Sequence, residues 1–323
     1  MLPNFAYNRP KNLAEAVRQL ASPEARAHAG GTDLIGCLRD RVFEASTLVS
    51  LSGVPELRGI RRGLDGGLVI GAMTTLAEVA SNSDIAERYP TLAQGAAAAA
   101  SPQLRNQGTL GGNICQRPRC WYFRGDFHCA RKGGEKCFAV EGENQYHCLF
   151  GGDVCFIVHP SDTASPLVAL EAVVRIAGPD GARSVPAEKF FILPSTDYTR
   201  ENVLKTGEVV TEIVLPAQTR GTRGTYRKVR ARGSWDFALA GAALVATVAD
   251  GNVESARIVL SGVAPAPWRV PEAERHLVGK RINLRSAQGA AAAAVKGAQP
   301  LTNNAYKVEL LRGTVEEAVL ALA

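Results

Sequence analysis

The sequence predicts an α+β fold in more than one unit, and three observations carry that prediction. The chain has 323 residues, 46% of them hydrophobic, which is more than one ordinary core accommodates, so two or three separately cored units are expected. Within residues 26–41 a short strand at Arg26-Ala-His-Ala29, a Gly-Gly turn and a helical pattern follow one another, the order of a small parallel α/β unit. Beyond residue 225, strand-like runs flank an Asp250-Gly-Asn turn before helical patterns take over from about Pro271, as in an antiparallel sheet backed by helices.

Taken in order, Asn12-Leu-Ala-Glu15 has the form of a reciprocal helix cap, and Leu13, Ala16, Val17 and Leu20 recur at helical spacing, predicting a helix to about residue 21. A strand at 26–29 is broken by Gly30-Gly-Thr-Asp33 ahead of a helix at 34–41, and a further strand at 47–51 completes the first unit. The stretch 66–72 reads as a strand, Thr75-x-x-Glu78 as a capping box, and 91–101 as an alanine-rich helix stopped by Pro102. A second glycine segment, Gly108-Thr-Leu-Gly-Gly-Asn113, leads into a cysteine-rich stretch. After it come a helix at 163–172 and strands at 173–177 and 208–215, then a linker at 216–224. The last part has strands at 225–229, 238–249 and 256–260. The expected organisation is therefore 1–216, subdivided at about 57 and containing the cysteine-rich stretch at about 115–156, which the resemblance given below marks as an insertion, and 217–323.

Composition narrows the function. Thirty-seven Lys and Arg against 31 Asp and Glu give a net charge of +6, too mild an excess to argue for nucleic acid. The N-terminus lacks the basic and apolar regions of a secretory signal, and the longest apolar run, 237–249, is too short for a bilayer, so a cytoplasmic protein without membrane insertion is expected. Seven cysteines, an odd number without a signal, point away from a disulfide framework and toward metal or cluster ligation.

Consecutive glycines let backbone amides approach an anion unobstructed, so each glycine segment is a candidate phosphate cradle, although Gly-Gly also marks ordinary turns. Neither segment is Gly-x-Gly-x-x-Gly or is followed by Gly-Lys-Ser/Thr, which disfavours a doubly wound dinucleotide fold and a P-loop. Ala29-Gly-Gly-Thr-Asp-Leu34, Gln103 to Asn113, His159-Pro-Ser-Asp162 and Tyr226-Arg-Lys-Val-Arg230 resemble, in order, the FAD-binding segments of the molybdenum hydroxylase flavoproteins. These are the medium subunits of carbon monoxide dehydrogenase, xanthine dehydrogenase and aldehyde oxidoreductases. The resemblance covers essentially the whole chain. It implies two α/β subdomains clasping FAD, followed by an antiparallel C-terminal domain with helices. It further implies that Ala29, Gly30, Gly31, Thr32, Asp33 and Leu34 wrap the pyrophosphate, with Ala27 and His28 leading in. Thr109, Gly112 and Asn113 would hold phosphate or flavin, Asp162 would bond polar FAD atoms, and Lys228 would approach the flavin ring. Asp162 is also of a type that caps helices, which is its alternative role ahead of residue 163. Trp235 and Phe237 are candidates to pack near the flavin edge.

Six cysteines lie between Cys115 and Cys155, too many for ordinary core thiols, and no Cys-x2-Cys knuckle occurs among them. Spacing does not choose between zinc and an iron–sulfur cluster. The insertion resembles those of the flavin subunits of 4-hydroxybenzoyl-CoA reductase and, more closely, of the bacterial periplasmic aldehyde oxidoreductase, where they carry a 4Fe–4S cluster. By that resemblance Cys120, Cys129, Cys137 and Cys155 are the ligands, with Cys115 and Cys148 as bystanders. Cys37 reads as a buried apolar residue. Trp121, Tyr122 and Phe123 are candidates to shield the cluster or meet another subunit. The five histidines show no metal spacing. Between Cys115 and Cys137 six basic residues stand against two acidic ones, either a face that steers an acidic acceptor such as a ferredoxin or a solvated face that offsets the cluster's charge.

The resemblance implies a heterotrimer. A molybdopterin-binding large subunit would oxidise the substrate, an aldehyde by the closer likeness, and a 2Fe–2S small subunit would feed this flavin subunit. Purine, N-heterocycle or aromatic CoA-thioester substrates are the alternatives within the family, and a zinc-binding assembly module is the alternative outside it. Export of the assembled complex to the periplasm on a partner's signal is the alternative to the cytoplasm.

Overall fold

The computed structural model describes residues 1–323. The first unit is β1 (Ala6–Asn8), α1 (Leu13–Leu20), β2 (Ala25–His28), α2 (Leu34–Arg39) and β3 (Thr47–Ser50). Its sheet is parallel throughout, in the order β1-β3-β2. Asn12 Oδ1 caps α1 by accepting from the Glu15 amide at 2.9 Å, but Glu15 returns its carboxylate to the Lys11 amide, one residue earlier than a reciprocal cap requires. Ala16 and Leu20 turn inward onto Val49, Leu51 and Leu57, and this core continues into Met73 and Val209 of the next unit.

That second unit runs through β4 (Ile60–Arg62), β5 (Leu68–Gly71), α3 (Leu76–Ser81), α4 (Ser83–Arg88), α5 (Pro90–Ala98), α6 (Pro102–Arg105) and α7 (Leu110–Ile114). The insertion follows with α8 (Trp121–Arg124), then α9 (Ala164–Ala169), β6 (Val173–Gly178), β7 (Gly181–Pro186), α10 (Ala187–Phe190), α11 (Pro194–Asp197) and β8 (Val209–Leu215). The five strands pair in the order β4-β5-β8-β6-β7, antiparallel at every step, so the parallel α/β arrangement is confined to the first unit. Thr75 and Glu78 form a complete capping box on α3. The alanine-rich helix stops at Ala98, earlier than expected, because Ala100 takes a left-handed φ of 48°. Pro102 opens α6 rather than closing α5, since the first helical position needs no amide proton.

The C-terminal unit has β9 (Thr222–Val229), β10 (Ala240–Ala249), β11 (Asn252–Ser261) and β12 (Trp268–Arg269), antiparallel in the order β12-β11-β10-β9. Asp250 and Gly251, at φ 50° and 77°, make the two-residue turn whose twist matches that of the flanking strands. Strand β9 begins inside the expected linker, because Thr222, Arg223 and Gly224 find partners on β10. Period-two alternation sends Ala242, Leu244 and Ala246 toward α12 (Pro271–Leu277), α13 (Leu284–Ala294) and α14 (Tyr306–Leu320), and sends Ala243 toward the second unit. The sheet is thus covered on both faces. No helix is long and apolar enough to cross a membrane.

Candidate functional site

The first glycine loop joins β2 to α2. The backbone amides of Gly30, Gly31, Thr32 and Asp33 donate to no backbone carbonyl, leaving four consecutive donors for an anion. Gly31 sits at φ 72°, and a Cβ on Gly30 would lie 1.9 Å from the Gln107 carbonyl oxygen, so the first loop touches the second at a distance only glycine permits.

The second glycine segment is not an open loop. It forms α7, whose leading amides are already taken: Leu110 N donates to Thr74 O and Gly111 N to Ala72 O, each at 2.9 Å. Gly112 N donates to Thr109 Oγ1 at 3.1 Å. Thr109 is therefore first a helix cap, and the expected second ring of amide donors is absent. Gly111 serves packing, since its Cβ would stand 2.8 Å from that of Ala72. Asn113 Oδ1 accepts from the hydroxyls of Ser161 and Thr163, both at 2.6 Å, which turns its amide NH2 end the other way.

Between the loops lies a cleft of about 660 Å³, within the usual range for cofactor sites. Ala27, Ala29, Gly30, Gly31, Thr32, Asp33, Leu34, Thr109, Gly112, Asn113 and Asp162 line it, as do Trp235 and Phe237. Two expected residues do not. His28 packs edge-on against Tyr7, with ring centres 5.7 Å apart. Lys228 stands behind Asp162, its Nζ 2.7 Å from Oδ2 and 3.1 Å from the Ala98 carbonyl. Tyr226 donates to the other Asp162 oxygen at 2.8 Å, and burial together with that carboxylate holds the phenol well above its usual range, so it stays a donor. Burial pushes the Asp162 carboxyl upward while Lys228 and Tyr226 pull it back. The alternative capping role for Asp162 belongs to Ser161, whose Oγ accepts from the Ala164 amide. Sequence reading missed the cleft wall from Ala99, Ala100 and Leu104, and Cys115, read as a bystander, also lies on it. Apolar residues in a helix turn carry no signal of their own.

The Asp162–Lys228 pair, with side chains 6% and 4% exposed, yields a prediction. Asp162→Ala strands a buried ammonium and should cost roughly 3–5 kcal/mol in chemical denaturation, part of it recovered when Lys228→Met is added. Nearby, burial holds the His159 imidazole down at about 4, against 6.5 in the unfolded chain. The fold favours neutral His159, so its stabilisation is whole above about pH 6.5 and is lost as pH falls toward 4. It should amount to about 3 kcal/mol, seen as a shallower acid limb in His159→Gln.

Cys120, Cys129, Cys137 and Cys155 line a single small pocket with Tyr122, Phe123, Arg131 and His147, whereas Cys37, Cys115 and Cys148 do not border it. Four thiols in a largely apolar wall are the donor type that an iron–sulfur cluster takes. No three or more His, Cys, Asp or Glu side chains are gathered closely enough to hold a single metal ion. His147, which sequence spacing passed over, puts Nε2 3.3 Å from Cys120 Sγ. The insertion is fastened from the far end of the chain. Asn304 Nδ2 donates to the carbonyls of His147 and Cys148 at 3.1 Å, and buried Lys307 donates to those of His147 and Gly262 at 3.0 and 2.7 Å. A third cavity of about 200 Å³ shares Arg119, Asp162 and Phe237 with the cleft, and Cys120 and His147 with the cysteine pocket.

The basic surface expected on the insertion is not there. Arg119 and Arg124 turn inward to Asp33, at 3.0 and 2.7 Å, and Arg117 and Arg131 turn to Glu201. Asp126, Glu135, Glu141, Glu143 and Asp153 are exposed instead, with Lys136 the exposed cation among them. The arginines of this stretch are thus engaged with internal carboxylates rather than arrayed on an outer face.

An open amide cradle, a cleft of cofactor size and a buried acid–lysine pair together define a site for a phosphate-bearing cofactor. Comparison gives the family. Residues 3–218 match the model described as the FAD binding domain in molybdopterin dehydrogenase, and residues 224–322 match the CO dehydrogenase flavoprotein C-terminal domain. The chain belongs to this family: it is an FAD-binding medium subunit of a molybdenum hydroxylase-type dehydrogenase, an oxidoreductase component. It is 34% identical to the aldehyde oxidoreductase FAD-binding subunit PaoB of Escherichia coli strain K12, over 99% of this chain and 98% of the relative. It is 33% identical to the carbon monoxide dehydrogenase medium chain of Hydrogenophaga pseudoflava, over 92% and 88%. A solved carbon monoxide dehydrogenase structure from that organism superposes with a TM-score of 0.78 at 31% identity, covering 100% of this chain and 99% of the other.

Proposed function

We propose that the chain is the electron-relay subunit of a heterotrimeric, molybdopterin-dependent aldehyde oxidoreductase, holding FAD in the cleft and a 4Fe–4S cluster in the cysteine pocket. It would stand between the 2Fe–2S clusters of a small subunit and an external acceptor, with substrate oxidised on a molybdopterin-binding large subunit. The observation that carries the reading is the grouping of four cysteines around one pocket, with a cavity between it and the cleft that shares wall residues with both. Bound FAD supplies a redox group that exchanges electrons singly or in pairs.

The chain's own residues bind and tune. Gly30 to Asp33 offer amides to the pyrophosphate, Asn113 and Asp162 present polar atoms to the ligand, and Lys228 acts through Asp162 rather than by direct approach. Cys120, Cys129, Cys137 and Cys155 would ligate iron, with the Tyr122 and Phe123 rings limiting water access. Aldehyde as substrate is favoured by the similarity to PaoB; a xanthine, N-heterocycle or aromatic CoA-thioester enzyme would use this subunit in the same way. A zinc-binding assembly module is the alternative outside the family, and the metal and acid-labile sulfide content of the purified chain separates the two readings. Anaerobic purification with the partner subunits tests the proposal. Flavin absorbance with stoichiometric iron and acid-labile sulfide in this chain is expected, and a colourless chain, or flavin without sulfide, would refute the two-cofactor reading.

A further inference from the structure

We infer that Asp33 is a positioning residue that couples the two sites, so that filling the cysteine pocket tightens FAD binding in the cleft. The inference rests on the two-cofactor reading above. Asp33 ends the loop whose four amides have no backbone acceptor, yet its carboxylate faces away from them into the insertion. Oδ1 accepts from Arg124 Nη2 at 2.7 Å and pairs with Arg119 Nη2 at 3.0 Å, while Oδ2 accepts from the Arg117 amide at 2.8 Å. These three residues bracket Cys120. Arg124 also donates to the carbonyls of Pro118 and Arg117, at 2.8 and 3.2 Å, so the turn bearing the cysteine and the clamp on Asp33 are one structure.

The electrostatics give the coupling its sign. A carboxylate beside an amide cradle repels a pyrophosphate unless it is neutralised, and Arg119 and Arg124 neutralise this one. The Asp33 and Arg124 side chains are only 17% and 13% exposed, so solvent screens the pair less than it would a surface pair. Arg117 and Arg119 also line the cleft and add positive charge there. With Cys120 fixed to a cluster, the 117–124 turn is pinned and the clamp is held. α8 is a single turn of four residues, so the segment that carries both arginines has little helix of its own to hold it, and ligation at Cys120 would add a second anchor to the clamp on Asp33. Linkage makes the effect reciprocal, so FAD should in turn protect the cluster.

The test measures the FAD dissociation constant by flavin fluorescence on the full chain purified with its partner subunits, before and after cluster removal by a chelator under oxidising conditions. Removal should weaken FAD by on the order of tenfold, as coupled sites commonly do. Asp33→Asn should abolish the difference, and Arg124→Lys should reduce it. Slower iron loss with FAD bound than without it is expected independently of activity. An FAD affinity unchanged by cluster removal, or a full difference persisting in Asp33→Asn, would overturn the coupling. A chain that yields FAD but never iron would instead overturn the two-cofactor reading itself.

Discussion

Gly30→Ala is expected to weaken FAD binding by roughly ten- to hundredfold, the outcome of forcing one to three kcal/mol of overpacking into the contact between the two glycine segments. The added methyl would stand 1.9 Å from the Gln107 carbonyl oxygen and 2.6 Å from its carbon, both rigid backbone atoms. Relief therefore requires moving the first loop off the α6–α7 turn, which breaks the alignment of the free amides at residues 30–33. A control lies six residues on. Gly36 is in α2 with only Arg124 Nη1 nearby, at 3.8 Å, so Gly36→Ala should keep FAD and gain about 1 kcal/mol of helix stability. Equilibrium titration of flavin and a thermal melt on each variant check both signs. Equal FAD affinity in Gly30→Ala and the unsubstituted chain would mean that the cradle lies elsewhere.

The second large effect concerns the cysteines. Single replacement of Cys120, Cys129, Cys137 or Cys155 by alanine should remove essentially all iron and acid-labile sulfide from the chain and lower its melting temperature, because a bound cluster stabilises only the folded state. Cys148→Ala and Cys115→Ala should keep the iron, since neither thiol borders the pocket. Cys148 is the discriminating case: it is fully buried and close enough to Cys155 and Cys137 for their charges to be felt. Iron lost from Cys148→Ala but kept in Cys129→Ala would reassign the ligands. Iron analysis and the visible spectrum after anaerobic purification decide between these outcomes.

What sequence reading captured was mostly local. The caps at Asn12 and Thr75 and the Asp250-Gly251 turn are set by interactions within a few residues, so their signatures are visible in the chain itself. What it missed depends on partners far away. Gly108 to Asn113 reads as an open loop, because nothing in the segment announces that Ala72 and Thr74 supply carbonyls to its amides. Arg117, Arg119, Arg124 and Arg131 count as surface charge until Asp33 and Glu201, each distant in sequence, are seen to draw them inward. Strand β7 carries Arg183 and Ser184 at an edge with little apolar alternation, and its pairing with β6 defines it. The resemblance sets Lys228 toward the flavin ring, whereas its ammonium pairs with Asp162 and does not itself line the cleft. His147 carried no spacing signal, since its partner Cys120 lies 27 residues away.

The fastening of the insertion by Asn304 and Lys307 sets an order of events during synthesis. These anchors come 157 and 160 residues after the His147 carbonyl they hold. A ribosome therefore exposes all four pocket cysteines long before the side chains that seat their loop have been translated. The clamps on Asp33 and Glu201 can form first, whereas the His147 carbonyl waits for the end of the chain, and a message truncated ahead of α14 would release a chain that keeps Asn304 but lacks the Lys307 contacts to His147 and Gly262.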